Sequence, residues 1–294
     1  MTDSAMKKFA KPAILLATVI WGSSFVVMKD TLDVVPVFFL LAVRFCCSAV
    51  ILALVFWSKW KGMSLSHLKR GLAMGTLLFL AYIAQTFGLT GTTPGNNAFL
   101  TAAYCVIVPF LYWMSYKKRP DQYNVAAAVV CIVGIGFVSL TSELTMGWGD
   151  GLTLVGGFFF AAHILAVAKS AQEHDIFLLT TVQFATAGVL AVVCSLVFDV
   201  MPEAGMGAAA PALVYLTLFC TAGALLLQSI GQKYTEPSQA SVLLTLESVF
   251  GTALAIGLGY ESPTALNYFG FLLIFAAVIV SETKLEFWKK KDSP

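Results

Sequence analysis

The chain has 294 residues and a formal net charge of +2; 59% of its residues are hydrophobic, 12% are charged, and the mean hydropathy is +0.84. A soluble domain carries roughly 25% charged residues, so this composition excludes a water-soluble globular protein and indicates an integral membrane protein. The small positive balance is a topology signal of solvated lysines rather than a nucleic-acid footprint.

Apolar stretches of the length a bilayer-crossing helix needs, about 17–25 residues, occur in chain order at 12–28, 34–57, 70–89, 94–115, 122–140, 151–169, 176–199, 211–232, 237–259 and 264–282. They are unbroken apolar runs, not the short alternating segments of a membrane β-barrel, and helices satisfy their own backbone hydrogen bonds as lipid requires. The expected fold is all-α, a polytopic membrane protein of ten transmembrane helices. The loops are too short for a soluble domain, so function is expected inside the bundle.

With both termini in the cytoplasm, every Lys and Arg except Lys29 and Arg44 falls on the inner side, which the positive-inside rule favours. The N-terminal MTDSAMKKFAK precedes a long apolar run with no small-residue cleavage site, so span 1 is expected to remain uncleaved. The expected location is a plasma membrane of the bacterial inner-membrane type. The six cysteines all fall inside spans and form no CxxC or Cys/His cluster, which fits small apolar packers. Glycines at 71, 75, 134, 136, 156 and 157 offer surfaces for close helix approach.

The chain repeats itself. QTFGLTGTTPGNNAFL from Gln85 aligns without gaps to QSIGQKYTEPSQASVL from Gln228, pairing Gln85 with Gln228, Gly88 with Gly231, Thr92 with Thr235 and Pro94 with Pro237. At a slightly different offset RFCCSAVIL from Arg44 aligns with QFATAGVL from Gln183, and Lys29 closes span 1 as Lys169 closes span 6. Two five-span halves, 12–143 and 150–283, follow. Five is odd, so the second half is threaded oppositely and the repeats are inverted, an arrangement suited to alternating access.

Several motifs in order carry a resemblance: WGSSFVVMK (Trp21 to Lys29), the Arg-Phe of span 2, LESVF around Glu247, GYESPT after it, and GFLLIFAAVIV in span 10. Over about residues 12–282 the sequence resembles the drug/metabolite transporter superfamily, and specifically its ten-span EamA-type exporters. The resemblance implies two EamA repeats with substrate handled in a central cavity between them, and export as the direction. Proline usually follows the span 9 glutamate in that family, whereas here Ser248 does; span 9 should then be straighter or hinge elsewhere, while Pro109 keeps the break in span 4.

Counting inward from the span ends puts Trp21, Arg44, Tyr104, His163, Gln183 and Glu247 near one depth, close to the bilayer centre. A charge there costs about 2.5–3.5 kcal/mol on insertion scales and normally faces a cavity or a partner. Two readings stay open for Arg44 and Glu247. They pair permanently and pin the bundle, or they hold opposite poles of a zwitterion, with Glu247 also able to carry a proton through the cycle. Asn97, Thr101 and Tyr104 recur at i, i+4 and i+7, one helical face suited to water or substrate. Glu247 aligns with Tyr104, and a neighbouring face of span 9 carries Ser241, Thr245, Ser248 and Thr252, whose alternative role is to bond their own helix. Gln85 and Gln228 sit toward opposite membrane ends and are expected either to gate the two mouths or to reach headgroups, with Tyr82 extending the wall beside Gln85. Trp21 is expected to stack on substrate, and one of Phe158, Phe159 and Phe160 is a candidate for the lining.

The function expected is a secondary active transporter of small metabolites such as amino acids. An efflux carrier for cationic drugs and a channel or scramblase-like facilitator are the alternatives. No phosphate-binding loop, HExxH, GxSxG or clustered His and carboxylate set occurs, so no enzyme activity, cofactor or metal is expected. Expected partners are a small-molecule substrate, the lipid bilayer, and a coupled proton or exchanged metabolite, with no nucleic acid; the protein is expected as a monomer or homodimer.

Overall fold

The computed structural model describes residues 3–117, 119, 121–139, 146–200 and 206–284. Four of the basic residues placed inside by sequence, Lys118, Lys289, Lys290 and Lys291, lie outside the described residues, as does position 140 at the end of the fifth predicted span. The helices are α1 (Asp3–Leu32), α2 (Val37–Val55), α3 (Leu65–Thr90), α4 (Pro94–Ala102), α5 (Tyr104–Tyr116), α6 (Gln122–Ser139), α7 (Trp148–Glu173), α8 (Ile176–Phe198), α9 (Ala210–Tyr215), α10 (Ala224–Lys233), α11 (Pro237–Gly257) and α12 (Ala265–Thr283). Between α9 and α10 the chain makes a π-helical segment, Leu216–Gly223. Taking α4 with α5, and α9 with the π segment and α10, gives eight helical spans long and apolar enough to cross a membrane, and α6 and α12 add two shorter apolar ones.

Within a mainly apolar core the bundle buries a set of polar side chains, and its periphery is apolar as well, unlike that of a soluble domain. Arg44, Gln85, Asn97, His163, Gln183, Gln228 and Glu247 are all buried, while Val50, Leu54, Ile132, Leu196 and Leu272 are exposed. Lipid covers such a surface without penalty, so the close packing inside comes from small residues and shape rather than from hydrophobic exclusion between helices. Gly71 and Gly75 of α3 lie against Val182, Gln183 and Thr186 of α8, and Gly134 of α6 meets Gly270 of α12.

Corresponding helices run antiparallel. Phe39 N–H at the start of α2 donates to Asp199 just past the end of α8 (2.7 Å), and Phe56 beyond the end of α2 meets Phe177 at the start of α8, ring centroids 4.4 Å apart. Likewise Asn267 at the start of α12 donates to Phe137 and Val138 carbonyls at the end of α6, while Lys284 past α12 pairs with Asp121 ahead of α6 (2.7 Å). Exchange of the halves also maps the packing onto itself: α3 packs on α7 and α8, and α10 packs on α1 and the π segment on α2. The two halves are therefore inverted.

The breaks are not where the prolines alone place them. The fourth span is interrupted at Ala103, upstream of Pro109: Ala103 keeps helical angles (φ −57°, ψ −16°), but its N–H bonds three residues back to Leu100 (3.2 Å), a tight turn between α4 and α5. Pro109 itself sits buried inside α5. In the second half α11 runs unbroken through Glu247 and Ser248, and the irregularity moves to the π segment of the preceding span. Ser248 is spent locally, donating to Thr245 O (2.7 Å). The irregularity thus falls in the fourth span of the first half and the third span of the second.

One end of the bundle collects Lys7, Lys59, Arg70, Lys169, Lys233 and Lys284; the opposite end carries Asp30, Asp33, Asp150 and Glu261. At the basic end Asp175 caps α8, accepting from Phe177 and Leu178 N–H (2.9 and 3.3 Å), and pairs with Lys59 (2.5 Å). Partial burial pushes its carboxyl up, but the Lys59 ammonium and the two N–H groups outweigh this and hold it below the usual carboxylate range. A depressed carboxyl stabilises the fold above its unfolded pKa of about 4, and the contribution is lost as pH falls through the lower folded value. Asp175→Asn should therefore lower the thermal midpoint at pH 7, and the gap to the parent protein should close as pH drops below 4. A constant gap at all pH values would mean that the charge is not what stabilises the cap.

Candidate functional site

A cavity lies at the centre of the bundle. On α1 the residues Trp21, Ser24, Phe25 and Met28 follow the i, i+3, i+4, i+7 spacing of one helix face and form one wall. Arg44 of α2 and Tyr82 and Gln85 of α3 form a second, Thr101 and Tyr104 flanking the α4–α5 break a third. Phe160, Ile164, Gln228, Leu244 and Glu247 close it from the second half. The cavity volume is about 30 Å³, room for a few waters at most and not for a metabolite. In this conformation the site is collapsed.

Glu247 accepts a hydrogen bond from Tyr104 Oη (3.2 Å), so the aligned residues of the two repeats meet across the pseudo-axis. Arg44 does not pair with Glu247; the permanent ion pair is absent. Instead Arg44 Nε donates to Thr221 Oγ1 (2.9 Å), one terminal nitrogen donates to Met28 Sδ (3.3 Å), and the guanidinium lies 5.1 Å from the Tyr82 ring centroid. Phe45, Tyr82 and Phe160 continue as edge-to-face ring contacts at 5.2 and 5.3 Å. Gln85 Nε2 donates to Thr101 Oγ1 (3.0 Å), and Gln228 Oε1 is buried with no partner.

The π segment explains how Trp21 and Arg44 are fixed. Carbonyls of this segment accept side-chain hydrogen bonds with their second lone pair. Trp21 Nε1 takes Cys220 O (2.7 Å), Ser48 Oγ takes Thr217 O (3.1 Å), and Thr221 Oγ1 turns back to Leu216 O (2.8 Å) while receiving Arg44. Trp21 is anchored by its N–H and presents its ring to the cavity.

Of the residues expected at the site, Trp21, Arg44, Tyr82, Thr101, Tyr104 and Glu247 come together in the wall. Gln85 and Gln228 do as well: both reach the same cavity. Four do not line it. Asn97 donates to Gln85 O (3.1 Å) and Thr153 Oγ1 (2.7 Å) and so fastens α4 to α3 and α7; His163 Nε2 and Gln183 Oε1 bond each other (2.9 Å) between α7 and α8; Ser248 is spent as described. Pro109 lies away from the cavity too. Sequence reasoning missed Ser24, Phe25, Met28, Ile164 and Leu244. The helical stripe through Trp21 was the available signal for the first three. Phe160 is the one of the three phenylalanines that reaches the wall.

The EamA-like transporter family model matches residues 9–140 and 147–283, one copy in each half. Two proteins of Archaeoglobus fulgidus, each described as an uncharacterized transporter, are similar over nearly the whole length: 31% identical across 95% of this chain and 88% of the relative, and 26% identical across 92% and 96%. A solved crystal structure matches with a TM-score of 0.72 over 94% of this chain and 98% of its own, at 17% identity, a likeness of fold. With a family copy in each inverted half, the chain belongs to the EamA-like transporter family.

Proposed function

We propose that the protein is a secondary carrier that exports a small zwitterionic metabolite, an amino acid being the type, by alternating access at the midplane cavity between the repeats 12–143 and 150–283. The observation that carries this reading is the presence of Arg44 and Glu247 in one cavity wall without an ion pair between them. An uncompensated pair of opposite charges is expensive inside a membrane, and a zwitterion inserted between them relieves both costs at once. Its ammonium has two acceptors, the Glu247 carboxylate and the partnerless Gln228 Oε1; its carboxylate has the guanidinium. Trp21, Phe25, Tyr104 and Phe160 supply apolar and aromatic area for a side chain.

Because the cavity is collapsed here, substrate admission requires a second conformation, which favours a carrier over an open channel. Glu247 releases or accepts a proton, or yields to an exchanged metabolite, to couple the step. The carrier works as a monomer or homodimer in a bacterial inner membrane with the basic end and both termini facing the cytoplasm.

A ligand-induced thermal stabilisation screen tests the substrate class. Zwitterionic amino acids should raise the midpoint of the parent protein and not of Arg44→Gln or Glu247→Gln. Stabilisation by organic cations that survives Arg44→Gln and fails only in Glu247→Gln would favour a cation carrier and contradict the zwitterion.

A further inference from the structure

The two ends of the bundle are built from counterpart residues and stand in different states. The repeat alignment that pairs Gln85 with Gln228 and Thr92 with Thr235 also pairs Leu89 with Gln232, and Lys29 corresponds to Lys169. At the acidic end Lys29 Nζ donates to the carbonyls of Leu89 (2.7 Å) and Thr92 (2.9 Å). The Thr92 hydroxyl donates in turn to Asp150 at the start of α7, which holds the α3–α4 turn in place to receive the lysine.

At the basic end none of the counterpart bonds is made. Lys169 is exposed and takes part in no hydrogen bond or ion pair among the described residues. The Thr235 hydroxyl and both polar atoms of the Gln232 side chain are buried without partners. Among the described residues, Gln172 Nε2 to Lys233 O (3.0 Å) is a side-chain bond from α7 to α10 there. Lys169, Gln172, Gln232 and Thr235 instead border an open cleft of about 850 Å³.

The packing says which bodies these bonds join. α1 packs along α10 and α11, and α3 packs along α7 and α8, whereas α1 and α3 barely touch. Lys29 therefore ties the α1–α10 pair to the α3–α7 pair at the acidic end. Lys169, on α7, faces α10 and is placed to tie the same two pairs at the other end. At each end one carbonyl, of Leu89 or Gln232, lies in the last turn of a helix, where the negative end of the macrodipole favours an ammonium on a flexible stem, and the other, of Thr92 or Thr235, lies in the turn that follows.

We propose that Lys29 and Lys169 are the paired gating residues of the transport cycle. In this state Lys29 seals the acidic end. In the opposite state Lys29 is released and Lys169 seals the basic end by donating to the carbonyls of Gln232 and Thr235. The two pairs tilt about the cavity, so that making one bond set breaks the other. The inference rests on the alternating-access reading above, but its test needs no substrate.

Hydrogen–deuterium exchange of the full-length protein in phosphatidylethanolamine/phosphatidylglycerol nanodiscs reads both ends at once. Lys29→Met should speed exchange over residues 88–97 and slow it over residues 230–240, each by about threefold or more. Lys169→Met should do the reverse, and Lys29→Arg should keep the parent pattern. Changes confined to the substituted end, or of the same sign at both ends, overturn the proposal. Should Lys29→Met fail to fold, Lys169→Met decides alone, since in this structure it breaks no contact. Reciprocal shifts in a protein that moves no zwitterion would leave the gates standing and remove the substrate reading.

Discussion

Glu247→Gln should reduce substrate uptake into proteoliposomes by about 100-fold while leaving the protein folded. Truncating one partner of a buried, hydrogen-bonded charge pair costs about 2–5 kcal/mol, and about 2.7 kcal/mol is a factor of 100. Glutamine keeps the shape and an oxygen to accept the Tyr104 hydroxyl, so the local packing survives. It removes a charge that the bilayer interior disfavours, so the thermal midpoint should hold or rise. Loss of the charge then removes only what faces the substrate or the coupled proton. A drop in uptake that tracks a drop in midpoint would show that the carboxylate holds the bundle instead, and unchanged uptake would remove Glu247 from the site.

The second large effect is structural. A methyl group on Gly149 would lie 2.5 Å from Gly91 C and 2.6 Å from both Gly88 O and Gly91 O. These are backbone atoms, which cannot rotate away as a side chain does, so α7 must move off the end of α3. Overpacking of this kind costs about 1–3 kcal/mol, and a bulkier residue more. Gly149→Ala should lower the thermal midpoint and Gly149→Leu should prevent recovery of folded protein. Because the same seam sets Tyr82 of α3 against Phe160 of α7 in the cavity wall, transport should fall along with stability. Gly62→Ala is the control: nothing lies within 4 Å of a Cβ there, and the change should stay within about 0.5 kcal/mol. An equal loss at both positions would mean that the seam is not what Gly149 serves.

The spans were legible in the sequence because hydropathy is a property of each stretch by itself, and the internal repeat gave the inversion by parity. The irregular turns were not legible, because they depend on partners distant in sequence. In the π segment Trp21 and Ser48 take the carbonyls of Cys220 and Thr217, and nothing within residues 211–232 announces those partners. The proline-based expectation for span 4 misplaced the break because Pro109 is accommodated inside α5, while the tight turn forms at Ala103.

For the site, counting from the span ends yields depth but not direction around the helix. That is why Arg44, Tyr104 and Glu247 were found together with His163 and Gln183, which share the depth but are turned to each other. Asn97 lies on the same face as Thr101 and Tyr104, yet one turn nearer the helix start, where α3 and α7 already occupy the space. Gln85 and Gln228 each stand near the C-terminal end of their span, in halves that run oppositely, and both line the one cavity.

Counterflow in proteoliposomes tests the central claim most directly. Vesicles carrying the purified protein are loaded with an unlabelled zwitterionic amino acid and diluted into the labelled one, with no ion gradient imposed. A carrier with one cavity that reorients between two faces predicts faster, transient accumulation of label above its external concentration, saturable in substrate and lost in Glu247→Gln. Label that equilibrates at the same rate with empty and loaded vesicles, and never rises above the external concentration, would contradict alternating access at this cavity.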